Sequence, residues 1–441
     1  PDGEYFFADY ADEDSVGGYP MRIAVTLRIR GEEAELDFTG SDPQLVSSLN
    51  MPTGGRPRHM LAMVGAVYAM YSLDPTVTLN YGLTRPLQAI MPAGTVMHAV
   101  EPAAVGMRSL TCNVVQTTVI GAFARAAPGR LPASPSNGLS LMNVKTSTRT
   151  GRPVMASIGP VGGGAGGGPF ADGAEGSGAN MSFLKNTPVE INEAEVPIRI
   201  HRYGLVPDTG GAGRWRGGSA LEMEFQVFAP QSMVTARNRD RSVFSAWGLA
   251  GGQAGATSRF ARNPQGPETV ELGSTDIVMC DPGDILLIQG PGGGGYGDPL
   301  ERGTDEVLTD VRRGFVSAER AREDYGVAIE AGAVDERATA RLRGELSRKR
   351  ALGEFGHGPG RVAHEAVWTQ ARYDVLTRIL LAAPVPWRYF VKHRLFAALR
   401  DKAAGPDGGA ADVVRAYAEL RERFTDLPPP PELPELIVAA Q

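Results

Sequence analysis

Residues 159–180 read GPVGGGAGGGPFADGAEGSGAN, and ten of the twenty-two are glycine. A stretch with so few side chains has little apolar surface to bury and cannot build a core of its own. Its backbone must stay solvated or lie directly against other backbone, which glycine permits because it has no Cβ. A second tract, GPGGGGYGDP at 290–299, poses the same choice. Glycine makes up 56 of 441 residues, nearly twice the usual share of about 7%. It punctuates patterned segments rather than forming a repeat. The first tract also carries Pro169 and Phe170, which a tether does not need. It is therefore expected to be an ordered loop.

Two phosphate-binding readings of the tract fail on context. Gly162, Gly164 and Gly167 satisfy G-x-G-x-x-G, but Pro169 and a turn-forming ADG follow where a dinucleotide site needs a helix. A phosphate loop needs Lys-Ser or Lys-Thr after its glycines. The five lysines (145, 185, 349, 392 and 402) all lie away from the glycine runs. The chain alone is expected neither to bind nor to hydrolyse ATP. Two roles stand for the tract: close backbone packing at positive φ, and a substrate-facing loop whose N–H groups hold an anion or a carbonyl oxygen. Gly164 and Gly166 are the candidates for the second role.

Charge and composition narrow the class. A net charge of −6 gives no electrostatic case for nucleic acid or an anionic membrane. No apolar run approaches the ~18 residues of a membrane span. Two cysteines, Cys112 and Cys280, are too few for a disulfide framework, so a reducing, cytoplasmic setting is expected. The start, PDGEYFFADYADED, lacks an initiator Met and any signal-peptide pattern, and is expected to fall mid-domain.

Periodicity gives an α+β fold: a β-rich body with glycine-rich loops over 1–304, a helical segment over 305–354, and a helical extension with a Pro-rich tail over 355–441. Apolar and polar residues alternate on both sides of RGEE within 19–41, the pattern of two strands and a tight turn. Helical spacing marks 58–73 and 111–128. EVPIRIHRYGLVPD and SALEMEFQVFAP read as strands, and 276–299 as two short strands running into the second glycine loop. Beyond 305 the charged segments are helical, as are stretches near 366–382, 387–402 and 411–425.

The order of several blocks carries a resemblance. PDGEYFFADYADED, ELDFTGSDPQLVSSLN, the first glycine tract, DTGGAGRWRGG, WGLAGGQAG and GPGGGGYGDPLERG succeed one another. Together they resemble the hydantoinase B/oxoprolinase family over roughly residues 1–327. The resemblance implies a B-type subunit of an ATP-dependent enzyme that hydrolyses a cyclic amide: a hydantoin, 5-oxoproline or a lactam. It implies an A-type partner of the actin-like ATPase superfamily, holding ATP and Mg²⁺ in a hetero-oligomer and forming a phosphorylated intermediate. The same family includes subunits of ketone carboxylases of the acetone and acetophenone type, so that chemistry stays open. A non-catalytic scaffold for the A-type partner stays open too. Family members carry a His/Asp motif for a divalent metal upstream of where this chain starts. A separate chain is one expected source of that region, and no metal ligand is assigned here.

Candidate residues come from the motifs. TPVEINEAEVPIRIHRY places Glu190, Glu193 and Glu195 at a strand entry, with Arg199, Arg202 and Asp208 following. On extended backbone Glu193 and Glu195 share a face. The stretch is a charged surface ladder or an active-site rim in which a carboxylate acts as general base. The family's E…E…P pattern favours Glu190 and Glu195. Asp172 in FADG is a turn residue or a catalytic acid, and Asp208 joins it as a catalytic candidate. Arg108, Arg202, Arg214 and Arg216 are candidate clamps for phosphate or carboxylate, or structural partners of acids.

Overall fold

The computed structural model describes residues 1–178, 185–237, 240–349, 352–402, 404 and 409–431. It divides into two compact units, Pro1–Pro128 with Pro359–Gln441, and Gly129–Gly358. The boundary expected at 304 coincides with neither junction. The segment read as a separate extension is part of the same unit as the first 128 residues.

The first unit starts with a four-stranded sheet in the order β1-β2-β3-β4 (Gly3–Ala11, Met21–Arg30, Glu33–Asp37 and Leu87–Ile90). β2 and β3 form the hairpin expected around RGEE, with Arg30 opposite Glu33 and Gly31 at φ 60° in the turn. β3 and β4 run parallel, so the chain crosses over between them through helix α1 (Met60–Leu73). Helix α2 (Arg108–Ala126) is buried on nearly every side. Two glycines set its neighbours. A Cβ on Gly121 would lie 2.5 Å from the Phe7 ring of β1, and one on Gly65 of α1 would lie 2.9 Å from Val119 of α2. The Thr117 hydroxyl of α2 donates to Asp9 Oδ2 at 2.7 Å, which satisfies a carboxylate buried in β1.

The second unit contains a four-stranded sheet, β13-β9-β5-β6, built from β5 (Leu139–Ser147), β6 (Pro153–Gly162), β9 (Ser232–Arg237) and β13 (Ile277–Cys280). A five-stranded sheet, β12-β11-β14-β8-β7, adds β7 (Ile198–Leu205), β8 (Leu221–Val227), β11 (Arg259–Arg262), β12 (Val270–Glu271) and β14 (Ile285–Gln289). All pairs in both are antiparallel. Met142, Val144 and Ile158 of the first sheet share one core with Met223, Phe225, Leu286 and Ile288 of the second. Short pairs join β10 (Gly248–Leu249) to β17 (Phe355–Gly356) and β15 (Ile329–Glu330) to β16 (Ala333–Val334). Residues 189–195, expected to be extended, form helix α3 (Val189–Glu195). Helices α4 (Thr304–Arg313), α5 (Ala318–Tyr325) and α6 (Glu336–Lys349) close the unit.

The glycine tracts form a bundle rather than a sheet. The N–H groups of Gly164 and Gly167 donate to Pro291 and Gly294 O at 3.1 and 2.8 Å, and Ala165 N–H donates elsewhere, to Ala174 O at 2.9 Å. The Gly164 and Gly167 carbonyls accept from Ser136 and Ala133, while Ala165 O accepts from Gly218. Partners thus recur every three residues. Gly292 and Gly295 repeat the pattern, donating to Ala256 and Gln253 O, with Gly293 aimed at Gly218 and Gly294 at Ser134. A β-strand pairs with two neighbours; residues 163–167 bond to four segments. That is the habit of a three-residue-per-turn polyproline-II helix, which has no internal hydrogen bonds and aims its backbone groups outward in three directions.

Such a bundle requires glycine. A Cβ on Gly164 would sit 1.6 Å from Gly218 O, and one on Gly166 would sit 2.0 Å from Ala133 O. Neither residue has positive φ, so the expected left-handed backbone is corrected: carbonyl approach fixes these glycines. Of the tract read as one ordered loop, Ala179 and Asn180 lie outside the described residues. Residues 432–436 of the Pro-rich tail do as well.

Four helices return to the first unit: α7 (Pro359–Val367), α8 (Gln370–Ala382), α9 (Val385–Leu399) and α10 (Ala410–Arg423). They are fastened to the N-terminal strands by polar contacts. Arg22 of β2 reaches Asp374 at 2.5 Å, Tyr373 Oη donates to Pro20 O at 2.9 Å, and Arg388 reaches Gly94 O at 3.0 Å. Buried Arg372 ties α8 to α10 through Asp412 and to the α9–α10 connection through Lys402 O.

Gly164→Ala is expected to destabilise the chain by about 3 kcal/mol or more, since its Cβ meets backbone that cannot turn aside. Gly204→Ala in β7 meets nothing within 4 Å and should change stability by less than about 0.5 kcal/mol. Denaturant melts of both variants check the contrast.

Candidate functional site

Charged side chains gather beside the glycine bundle. Asp172, in the first tract, accepts two hydrogen bonds from Arg302, each 2.7 Å, in a bidentate fork. Asp172 Oδ1 also accepts the Arg216 backbone N–H at 2.7 Å. The Arg216 side chain reaches Glu175 Oε1 at 2.6 Å and lies over the Phe315 ring at 4.8 Å. Asp310 of α4 accepts from Arg302 Nε at 3.0 Å and lies 3.8 Å from Arg216 Nε. Glu175 also accepts the Ser219 N–H. Two arginines, both buried, are thus held by three acids.

The electrostatics follow from that burial. Burial opposes the charge on Arg302, but the Asp172 bond and the Asp310 carboxylate outweigh it and hold its pKa above the ordinary arginine value. Arg216 is raised in the same way, with Glu175 outweighing burial. Burial pushes the Asp310 carboxyl up while Arg302 and Arg216 pull it down. The cluster ties the first tract to 214–219 and to α4, and both Asp172 oxygens are engaged.

The other candidates fall elsewhere. Glu190 and Glu195 lie on α3 with exposed side chains, and neither makes a hydrogen bond or ion pair among the described residues. The shared extended face of Glu193 and Glu195 is corrected: Pro188 precedes a helical turn, and Glu193 accepts the Ile200 N–H at 2.8 Å, bracing β7. Arg202 of β7 reaches Glu222 of β8 at 2.6 Å and Glu224 at 3.4 Å, so its guanidinium is engaged by acids of its own sheet. Burial, ahead of the opposing Arg202 charge, pushes the Glu222 carboxyl up. Asp208, at φ 60°, accepts the Ser317 N–H at 2.7 Å and pins the 315–317 turn. Arg214 is half-exposed, 3.7 Å from Glu301. Arg108 belongs to the first unit, where it is exposed at the start of α2.

Reading the sequence missed Arg302, Asp310, Glu175, Glu222 and Glu224. For Glu222 and Glu224 a signal existed: LEMEF puts both acids on one face of a strand. Arg302 and Asp310 stand over 125 residues from Asp172, and no spacing rule links them.

The chemistry open to these residues is limited. The N–H groups of Gly164, Ala165, Gly167, Gly173, Gly176 and Gly178 all donate to backbone carbonyls, as do those of Gly292, Gly293, Gly294 and Gly295. The expectation that the loops hold an anion through free N–H groups is corrected for these positions, because bundle packing consumes the donors. They do not fit a nucleotide phosphate. Burial pushes the Cys280 thiol up to about 11 and raises Cys112 also, so neither is an activated nucleophile. Among the described residues no three His, Cys, Asp or Glu side chains form a metal-holding group, and no helix is long and apolar enough to cross a membrane.

Comparison with known proteins places the chain. The family model for hydantoinase B/oxoprolinase matches residues 1–299. The B component of a putative D-/L-hydantoinase from Pseudomonas sp. (strain NS671) is 31% identical over 344 residues, covering 75% of this chain and 56% of that protein. The crystal structure of the ATP-dependent caprolactamase from Pseudomonas jessenii superposes with a TM-score of 0.64 at 29% identity, covering 78% of this chain and 60% of that one. A nucleotide-free acetone carboxylase superposes with a TM-score of 0.67 over 97% of this chain and 60% of its own, at 18% identity, and shares the fold. The chain therefore spans a little over half the length of these relatives.

Arg302→Leu is expected to cost about 3–5 kcal/mol by leaving Asp310 buried without its main partner. Thermal denaturation of the variant at neutral pH checks this against the wild-type chain.

Proposed function

We propose, starting from the fact that this chain belongs to the hydantoinase B/oxoprolinase family, that it is the B-type component of an ATP-dependent enzyme that opens a cyclic amide. The family match over 1–299 carries the reading, with the identity to a hydantoinase component and to the caprolactamase structure in support. An A-type subunit of the actin-like ATPase superfamily holds ATP and Mg²⁺ and phosphorylates the substrate oxygen. The glycine bundle agrees with that division of labour, because these loops keep few N–H groups for phosphates.

The chemical logic is that of a poor electrophile made better. An amide resists attack by water, and O-phosphorylation makes its ring carbon electrophilic. Water adds there, the ring C–N bond breaks with the nitrogen taking a proton, and a second water hydrolyses the resulting acyl phosphate to carboxylate and phosphate. An activated phosphate hydrolyses in bulk water, so its passage to the second component must be sheltered. In this reading the bundle is a rigid frame, and Glu190 and Glu195, exposed and unengaged, are the candidate general bases. No divalent-metal ligand is assigned among the described residues.

The test is reconstitution with an A-type subunit and any further chain the complex needs. Ring opening that depends on ATP and on this chain, with bicarbonate absent, is the expected result. Glu195→Gln should slow it about 10²- to 10⁴-fold. Turnover that requires bicarbonate would replace hydrolysis with ketone carboxylation. No effect on the substrate in the intact complex would support a non-catalytic scaffold.

A further inference from the structure

A small cavity of about 150 Å³ opens in the first unit beside strands β2, β3 and β4. Sites for drug-sized molecules begin at roughly 300 Å³, so this one fits a small ion rather than a nucleotide. Its lining is charged, with Arg28, Arg30, Arg58 and Arg85 against Glu33 and Glu35, an excess of two positive charges. The whole chain carries −6, so the excess is local.

The strands explain half of that lining. Arg28 and Arg30 alternate along β2 and share a face, opposite Glu35 and Glu33 of β3. Arg28 is fully engaged, reaching Glu35 at 2.8 Å, Asp37 at 2.9 Å and Glu4 at 3.2 Å. The other Glu35 oxygen accepts from Gln88 Nε2 of β4 at 3.1 Å. Arg28 and Glu35 therefore have little left to offer a ligand. What remains is Arg30, Arg58 and Arg85 against Glu33 alone.

None of these three arginines has an acid partner among the described residues. Arg58 Nε donates to Thr84 O and Leu87 O, and its Nη2 to Arg85 O, each at 3.1 Å. Carbonyls hold the guanidinium in place without neutralising it. Of its five N–H bonds, both on Nη1 and one on Nη2 stay unused. Arg58 is nonetheless exposed and lines the cavity. Its rotamer freedom is already spent, so less ordering is needed when a ligand arrives. Arg30 and Arg85 are exposed, and their side chains make no hydrogen bond or ion pair among the described residues. A fixed guanidinium fork with two mobile ones beside it suits an oxyanion.

We propose that this cavity binds a small tetrahedral dianion of the phosphate type, held by Arg58 and closed over by Arg30 and Arg85. Two charges on the ligand match the two in excess on the lining. The assignment is separate from the reaction proposed above: these residues belong neither to the glycine bundle nor to α3, and binding needs neither ATP nor a partner subunit.

Calorimetry on the full chain with inorganic phosphate, sulfate and acetate tests it, in about 0.1 M salt to screen diffuse attraction. At about pH 8, above the second phosphate ionisation, phosphate and sulfate are expected to bind saturably, each at least about tenfold tighter than acetate. Arg30→Gln with Arg85→Gln removes two unbonded guanidiniums. That double variant should weaken phosphate at least about tenfold with the melting temperature kept. Arg149→Gln with Arg152→Gln makes the same charge change in the exposed β5–β6 turn, and should leave phosphate affinity within about twofold. No saturable phosphate binding, acetate bound as tightly as phosphate, or an equal loss in the two double variants would overturn the assignment.

Discussion

Backbone packed directly on backbone is the constraint from which the second unit is built. Gly164 lies so near Gly218 O, and Gly292 so near Thr209 O, that a methyl group on either would fall 1.6 Å from a carbonyl oxygen. At that range side-chain packing has no place, and cohesion comes from hydrogen bonds reaching several neighbours at once. The threefold recurrence of partners along 163–167 and 292–295 lets one segment serve four others. Segments from 133–137, 163–178, 209–218, 247–256 and 291–297 are thereby held together almost wholly outside regular sheet and helix, the short strand β10 excepted. The Asp172–Arg302–Asp310 network then locks this bundle to α4, which supplies in charge what the glycines lack in apolar area.

That design has a consequence for chemistry. Glycine-rich loops invite a phosphate-cradle interpretation because their N–H groups are so accessible. Here the same groups are the bundle's own cohesion, and an anion would have to displace a carbonyl to reach them. At these positions the backbone offers an anion no donor, and the candidate side chains divide into two kinds. Asp172 and Arg216 are held in a buried network, whereas Glu190 and Glu195 stand in solvent. Among the buried carboxylates of the described residues, Asp42 in the first unit keeps one oxygen that meets no donor.

Much of the fold was legible where side chains alternate or recur at helical spacing. The β2–β3 hairpin, α1, α2, β7, β8 and α8–α10 all follow local patterns of that kind. The β5–β6 hairpin was not read, although LSLMNVKTS alternates buried and less buried residues along most of its length. Residues 189–195 misled in the opposite direction. Their charge suggested a strand edge, while Pro188 followed by glutamates is also a helix start. The bundle itself could not be read, since glycine carries no side-chain pattern and its partners lie far apart in the chain. The sites divide the same way: Asp172 and Arg216 stood out through their motifs, and Arg302, Asp310 and Arg58 join their partners only through tertiary folding.

Hydrogen–deuterium exchange of the backbone amides tests the bundle most directly. Residues 163–167 and 292–295 lie outside regular helix and sheet for nearly their whole length, so ordinary loops there would exchange within seconds. If the amides of Gly164, Ala165, Gly167 and Gly292–Gly295 are bonded as described, they exchange as slowly as the central strand β8, opening only with the whole unit. Exchange as fast as that of the exposed turn at Gly31 would contradict the account and return the glycine tracts to flexible loop.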